Sequence, residues 1–309
     1  MSQAKPFKTS IGGQAVIEGV MMRGPKKTAL SVRLPDGTIS TEDWPTPSNH
    51  QWYKRTPFIR GVFNFFDSMA CGYDCLMKSA EKSGLEDEEP SRLELWLQEK
   101  LGERYLSVVE GIIMVFAVIL ALGLFMVVPT YLVKMLSPYI PSDFALTAIE
   151  GVLKISIFLL YMVVISRMKD IQRVFQYHGA EHKTIFCYEH GDELTVENVR
   201  KYSRFHPRCG TSFLVIVLLL SILVFSTLSW GNVWLRILLK LICLPIIMSI
   251  SYECIKLAGR CDNLFTRILS APGLWTQRLT TREPDDSQIE VAIASMKRVI
   301  PENHEEALF

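Results

Sequence analysis

Residues 111–133 read GIIMVFAVILALGLFMVVPTYLV, 23 positions without a charge between Glu110 and Lys134. At about 1.5 Å of rise per residue, a helix of that length crosses the roughly 30 Å hydrocarbon layer of a bilayer. The stretch makes this a mainly α protein with a transmembrane part. The rest of the chain is read outward from it.

Three further apolar runs follow. Phe144 to Ser166 is as long as the first but carries Glu150 and Lys154 one helical turn apart, a pairing that lowers the cost of both charges inside a bundle. No charge occurs between Cys209 and Leu235, so Thr211 to Trp230 makes a third span, closed by a turn at Gly231-Asn232. Val233 to Tyr252 is the fourth, with Arg236 and Lys240 near its mouth, Pro245 inside it and Glu253 at its end. Trp230 and Trp234 suit an interface.

Lys and Arg set the expected orientation. The loop 167–208 holds eight (Arg167, Lys169, Arg173, Lys183, Arg200, Lys201, Arg204 and Arg208), against Lys134 alone between the first two spans. The positive-inside rule therefore predicts a multi-pass protein of the cell membrane, with the central loop and both termini cytosolic.

The composition agrees with this division. Hydrophobic residues make up 49% of the 309, yet 21% are charged, so apolar and polar segments alternate along the chain. A net charge of +1 with no long basic face gives no case for nucleic acid binding. The seven cysteines have no secreted-domain spacing and read as reduced thiols. Met1 to Ser10 contains no apolar stretch of the kind a cleaved signal peptide needs.

Outside the four-span domain, 106–253, the predicted organisation is a cytosolic β-rich unit over 1–56, an amphipathic helix over 57–83, an acidic linker and short helix over 84–105, and a cytosolic tail over 254–309. In the β-rich unit Gln14 to Met22 reads as one extended run. Ala29–Leu34 and Thr38–Asp43 form a hairpin around Pro35-Asp36-Gly37. Cys71 and Cys75 share one face of the amphipathic helix, and its apolar stripe lies on the membrane surface or packs against the membrane domain. The tail is mixed to Glu283, and a soluble helix follows from Ser287 to Val299.

The central loop carries the chemistry. His178, Glu181 and His182 spell H-x-x-E-H, the inverted zinc-protease motif. On a helix both imidazoles share a face and can grip one metal ion, while Glu181 takes a proton from water at that ion. Ile171, Val174, Phe175, His178, His182, Ile185 and Phe186 recur at spacings of three and four, which predicts that helix and puts the histidines on its buried stripe. Two histidines on such a stripe also serve as ordinary core residues. A catalytic zinc takes a third protein ligand, for which His206, Cys209 and Glu253 are placed at the membrane-facing level, and imidazole chemistry ranks His206 first. His190, beside Gly191, reads as a helix cap.

The blocks GGQAVIEGVMMRGP over 12–25, YHGAEHK over 177–183 and HPRCGTSF over 206–213 resemble the YqhQ-like family of bacterial membrane proteins, and the resemblance runs on to LTTREP at 279–284. It implies a predicted metal-dependent enzyme without an established activity. It directs attention to Glu18, Arg23, His178, Glu181, His182, His206 and Cys209, which stand inside the matching blocks.

The expected protein is a membrane-embedded hydrolase with one divalent ion, zinc by its donor types. Glu181 is its general base, and Arg23 or Arg208 orients an anionic group. A site at the membrane surface suits a lipid-linked or a peptide substrate. A non-catalytic scaffold or assembly factor with a structural metal is the alternative, and a transporter using Glu150, Lys154, Arg236 and Lys240 is a third.

Overall fold

A computed structural model describes residues 7–47, 51–84, 92–102, 105–260 and 263–308. The acidic run Glu86–Pro90 lies outside them. The chain divides into two units, Met1–Leu85 with Met162–Leu220 and Pro245–Phe309, and Glu86–Tyr161 with Ser221–Leu244.

The first unit contains a four-stranded antiparallel sheet in sequence order: β1 Gly12–Val16, β2 Gly19–Arg23, β3 Lys27–Arg33 and β4 Ile39–Pro45. The β3–β4 hairpin turns at Gly37, whose φ of 85° suits a residue without Cβ. Gln14 to Met22, predicted as one strand, is instead a hairpin: Val16 pairs with Gly19 across a turn of Ile17 and Glu18. Glu18 sits at φ 49°, rare for a side chain with Cβ, and its carbonyl accepts from Arg33 N at 2.8 Å.

Alternation along the strands loads both faces of the sheet. Val20, Met22 and Ala29 join one core with Tyr177, Ala180 and Ile185 of α6 (Lys169–Glu189, described below with the site) and Ile289, Ala292 and Met296 from the end of the chain. Val16, Met21, Leu30 and Val32 form the other with Cys75, which lies on α1, Arg60–Lys82. Cys71 and Leu76 pack there too, so the amphipathic helix turns its cysteine face to the sheet. Its Phe66 and Met69 remain exposed.

In the second unit a short helix, α2 Arg92–Leu101, precedes α3 Tyr105–Leu122, which runs through one π-helical turn at Gly123–Val127 into α4 Val128–Lys134. The wide turn follows from Pro129. Its ring would meet the carbonyl four residues back and it donates no hydrogen bond. α5, Asp143–Ile165, is the second span. After α6 come α7 Val196–Arg200, α8 Gly210–Phe225, α9 Val233–Arg260, α10 Leu264–Thr280 and α11 Asp286–Val299.

Among the described residues three helices are long and apolar enough to cross a membrane: Val108–Lys134, Asp143–Ile165 and Val233–Arg260. The third predicted span is helical over only 16 residues, as α8. That is about 24 Å of rise, short of the hydrocarbon thickness. Its apolar sequence outruns its helix because Arg236 hydrogen-bonds the carbonyls of Phe225, Leu228 and Ser229, groups that a continuing helix would commit to its own amides.

The interior of this unit is polar as well as apolar. Val133, Leu146 and Trp230 cluster, and beside them the buried Glu150 carboxylate meets three cations: Lys240, Arg236 at 3.1 Å and Lys154 at 3.2 Å. Thr130 Oγ1 donates to the same carboxylate at 2.9 Å.

One feature of the tail departs from expectation. The segment read as mixed contains α10, capped by Asn263 and Thr266 in a reciprocal box, with Leu264, Ile268 and Trp275 exposed. The helix expected from Ser287 to Val299 is α11. It buries Ile289, Val291, Ala292 and Met296 against the sheet.

Candidate metal centre

The H-x-x-E-H segment is helical, as its periodicity requires, and α6 buries Tyr177, Gly179, Ala180, Glu181 and His182. Both imidazoles are fixed through Nδ1. His178 Nδ1 lies 2.8 Å from the Thr280 carbonyl oxygen and His182 Nδ1 2.5 Å from that of Arg204. A carbonyl only accepts, so each Nδ1 carries the proton and each Nε2 keeps its lone pair. Backbone carbonyls orient metal-binding histidines in this way.

The third donor is a thiol. His178 Nε2 lies 3.1 Å from Cys209 Sγ, and the ligand atoms of His178, His182 and Cys209 all fall within 4.8 Å of one another. Burial acts to raise the Cys209 thiol, but the His182 imidazole and the hydroxyl and amide of Thr211 outweigh it and hold the thiol below its ordinary range. Burial keeps His182 below the usual imidazole range. Two imidazoles with an acidified thiol form a donor set for a soft or borderline divalent ion.

Chain segments distant in sequence close on α6 to build this group. The segment after α10 passes so near that a Cβ on Gly179 would stand 2.1 Å from the Arg282 carbonyl oxygen. Arg282 N donates to the Phe175 carbonyl at 2.8 Å. Gly179 thus admits the backbone that orients its neighbour His178.

Glu181 lies on the same wall, with Oε2 4.0 Å from His178 Nε2. Burial raises its pKa to about 7, against the opposing pull of His178 and the Gly13 amide. All four side chains line one cavity of about 480 Å³, together with residues 9–15 of the N-terminal strand region. Its wall also includes His206, Arg208 and Thr211.

The remaining predicted residues are brought near the cavity to different degrees. His206 lines it, but its Nε2 faces Glu189 at 3.6 Å, its Nδ1 accepts from Arg208 N at 3.3 Å, and its backbone is held by Gln277. Arg208 also lines it while ion-paired with Glu189 and bonded to the Thr9 carbonyl. Glu253 stands apart: Arg60 grips it with two nitrogens, at 2.7 and 2.5 Å. Glu18 is paired with Arg173 and accepts from Tyr177 Oη at 3.1 Å. Arg23 lines a neighbouring cavity. His190 is the C-cap of α6, its Nδ1 2.8 Å from the Phe186 carbonyl.

Gly13, Gly179, Glu189 and the carbonyls of Arg204 and Thr280 escape a reading of the sequence as site components. Carbonyls leave no side-chain signature, and both glycines matter for what they lack. Glu189, buried with Arg208, was open to detection as the last carboxylate on the buried face of α6.

Residues 56–302 match the model of a family described as protein of unknown function, DUF1385. The chain is 36% identical over 293 residues to the uncharacterized protein YqhQ of Bacillus subtilis (strain 168), covering 94% of this chain and 92% of that protein. No solved structure matches. The chain therefore belongs to the DUF1385 family, to which the YqhQ-like resemblance pointed.

Proposed function

We propose that the protein is a membrane-embedded, metal-dependent hydrolase whose site works at the cytosolic face. One observation carries this reading: His178, His182 and Cys209 present three ligand atoms to a cavity whose wall also holds Glu181. Three protein donors beside a cavity leave room for substrate, as catalytic zinc sites do, whereas a structural site is closed by four. Zinc is the ion that these donors suit best.

When bound, the ion supplies Lewis acidity and makes nearby water more acidic. The protein's own part is positional. The Thr280 and Arg204 carbonyls hold the imidazoles, the Gly13 amide holds Glu181, and the Glu181 carboxylate accepts the proton of the attacking water and returns it to the leaving group. Arg208, fixed by Glu189, sits on the cavity wall where it stabilises negative charge developing on the substrate. The eight Lys and Arg of 167–208 support a cytosolic site and, two spans upstream, a cytosolic N-terminus.

Glu181→Gln tests the reading, because glutamine keeps the shape and cannot take the proton. The variant should retain its metal, its membrane insertion and its melting temperature, yet behave in cells like a deletion, since losing a general base costs about 10² to 10⁴ in rate. Full complementation at native expression would refute the enzyme and favour a scaffold.

A further inference from the structure

A second cavity, of about 760 Å³, adjoins the metal cavity. The two share Ser10, Gly12, Gly13, Gln14, Ser68 and Arg208 as lining. They are neighbouring cavities that meet at β1. Volumes of this size hold small-molecule ligands.

The second cavity is cationic. Arg23 at the end of β2 and Lys256 on α9 both line it, and neither forms a salt bridge among the described residues. The acidic side chain on the wall, Asp67, is already neutralised by Lys54, and Arg208 by Glu189. Asn64, which donates to Tyr252 Oη at 3.1 Å, adds polar lining to the same wall. Two cations on different elements that form no salt bridge among the described residues, one of them the planar fork of an arginine, suit an anion with several oxygens. Tyr252, Ile255 and Lys256 also belong to the last two turns and a half of a helix apolar enough to span a membrane. A helix of 28 residues outruns a hydrocarbon layer of roughly 30 Å, so its last turns are suited to the level of lipid phosphates.

We infer that this second cavity binds the phosphate group of a phosphate-bearing substrate, placing the bond to be cleaved beside Glu181, His178, His182 and Cys209. The inference rests on the proposed hydrolase for the role of the bound molecule. The binding itself does not depend on the metal. Arg23 and Lys256 touch the substrate without taking part in proton transfer. The phosphate reaches them either on a lipid headgroup or on a soluble phosphoester.

The test uses the purified full-length protein in detergent, titrated with inorganic phosphate by calorimetry and with phosphatidylglycerol or phosphate-free diacylglycerol by native mass spectrometry. Saturable binding of either phosphate probe, weakened about tenfold in Arg23→Gln and in Lys256→Gln but much less in Arg23→Lys, is the expected result. Binding of phosphatidylglycerol alone assigns a headgroup, and binding of free phosphate a soluble ester. Metal content, measured on the same samples, should be equal in wild type and all three variants, which shows that the fold survives. Absence of binding by both probes, or equal affinity in wild type and both Gln variants, overturns the inference. Phosphate binding that depends on Arg23 and Lys256 in a protein without metal upholds the subsite while refuting the hydrolase.

Discussion

Gly13 and Glu181 meet across the packing of β1 on α6 so closely that a Cβ on Gly13 would stand 2.8 Å from the Glu181 Cγ. The same Cβ would stand 2.8 Å from the Met21 carbonyl oxygen, which belongs to the sheet backbone. The strand and the carboxylate therefore cannot both hold their places around an alanine. Gly13→Ala should cost about 1–3 kcal/mol of stability as an overpacking change. Gly12→Ala, with nothing within 4 Å of its Cβ, is the control and should stay within about 0.5 kcal/mol. Thermal unfolding in detergent compares them. Equal melting temperatures for both would contradict the described contact.

The membrane cluster makes an asymmetric prediction. Glu150 is the carboxylate among Lys154, Arg236 and Lys240, all nearly inaccessible to solvent. Glu150→Gln leaves three buried cations facing one another, and unpairing a buried charge costs about 3–5 kcal/mol. Lys154→Met leaves one anion with two cations and replaces the ammonium by an isosteric apolar chain, so its cost should be clearly smaller. Expression level and melting temperature rank the two variants. A Lys154→Met protein less stable than Glu150→Gln would show that the cluster is balanced differently.

Glu253 and Cys209 should separate in a pair of variants. Because Arg60 grips both oxygens of Glu253, Glu253→Ala should retain its metal while lowering the melting temperature through the loosened start of α1. His206→Ala should keep metal as well, its ring being turned to Glu189 and Arg208. Cys209→Ala should lose it. Metal loss in Glu253→Ala with retention in Cys209→Ala would reverse the assignment.

The helix that bears the site was legible because its apolar stripe and its histidines obey one period. The first span was legible because nothing interrupts 23 apolar residues. Tertiary partners were not legible. His206, Cys209 and Glu253 all offer ligand chemistry, and ranking His206 first on its imidazole missed what separates them, a set of long-range contacts to Glu189, His178 and Arg60. The first hairpin was hidden because its turn, Ile17-Glu18, has no glycine or proline within it. Glu18 tolerates its left-handed backbone while Arg173 and Tyr177 hold its side chain. α10 was hidden because Pro272 and Gly273 interrupt its pattern, although Gly273 serves a close approach to Ser212.

The most direct test of the central claim is the metal content of purified protein, determined by elemental analysis for wild type, His178→Ala and Cys209→Ala side by side. The arrangement of His178, His182 and Cys209 predicts about one divalent ion per chain in wild type and a near-complete loss in both variants. Metal at the wild-type level in both variants, or none in wild type after purification without chelator, would contradict it.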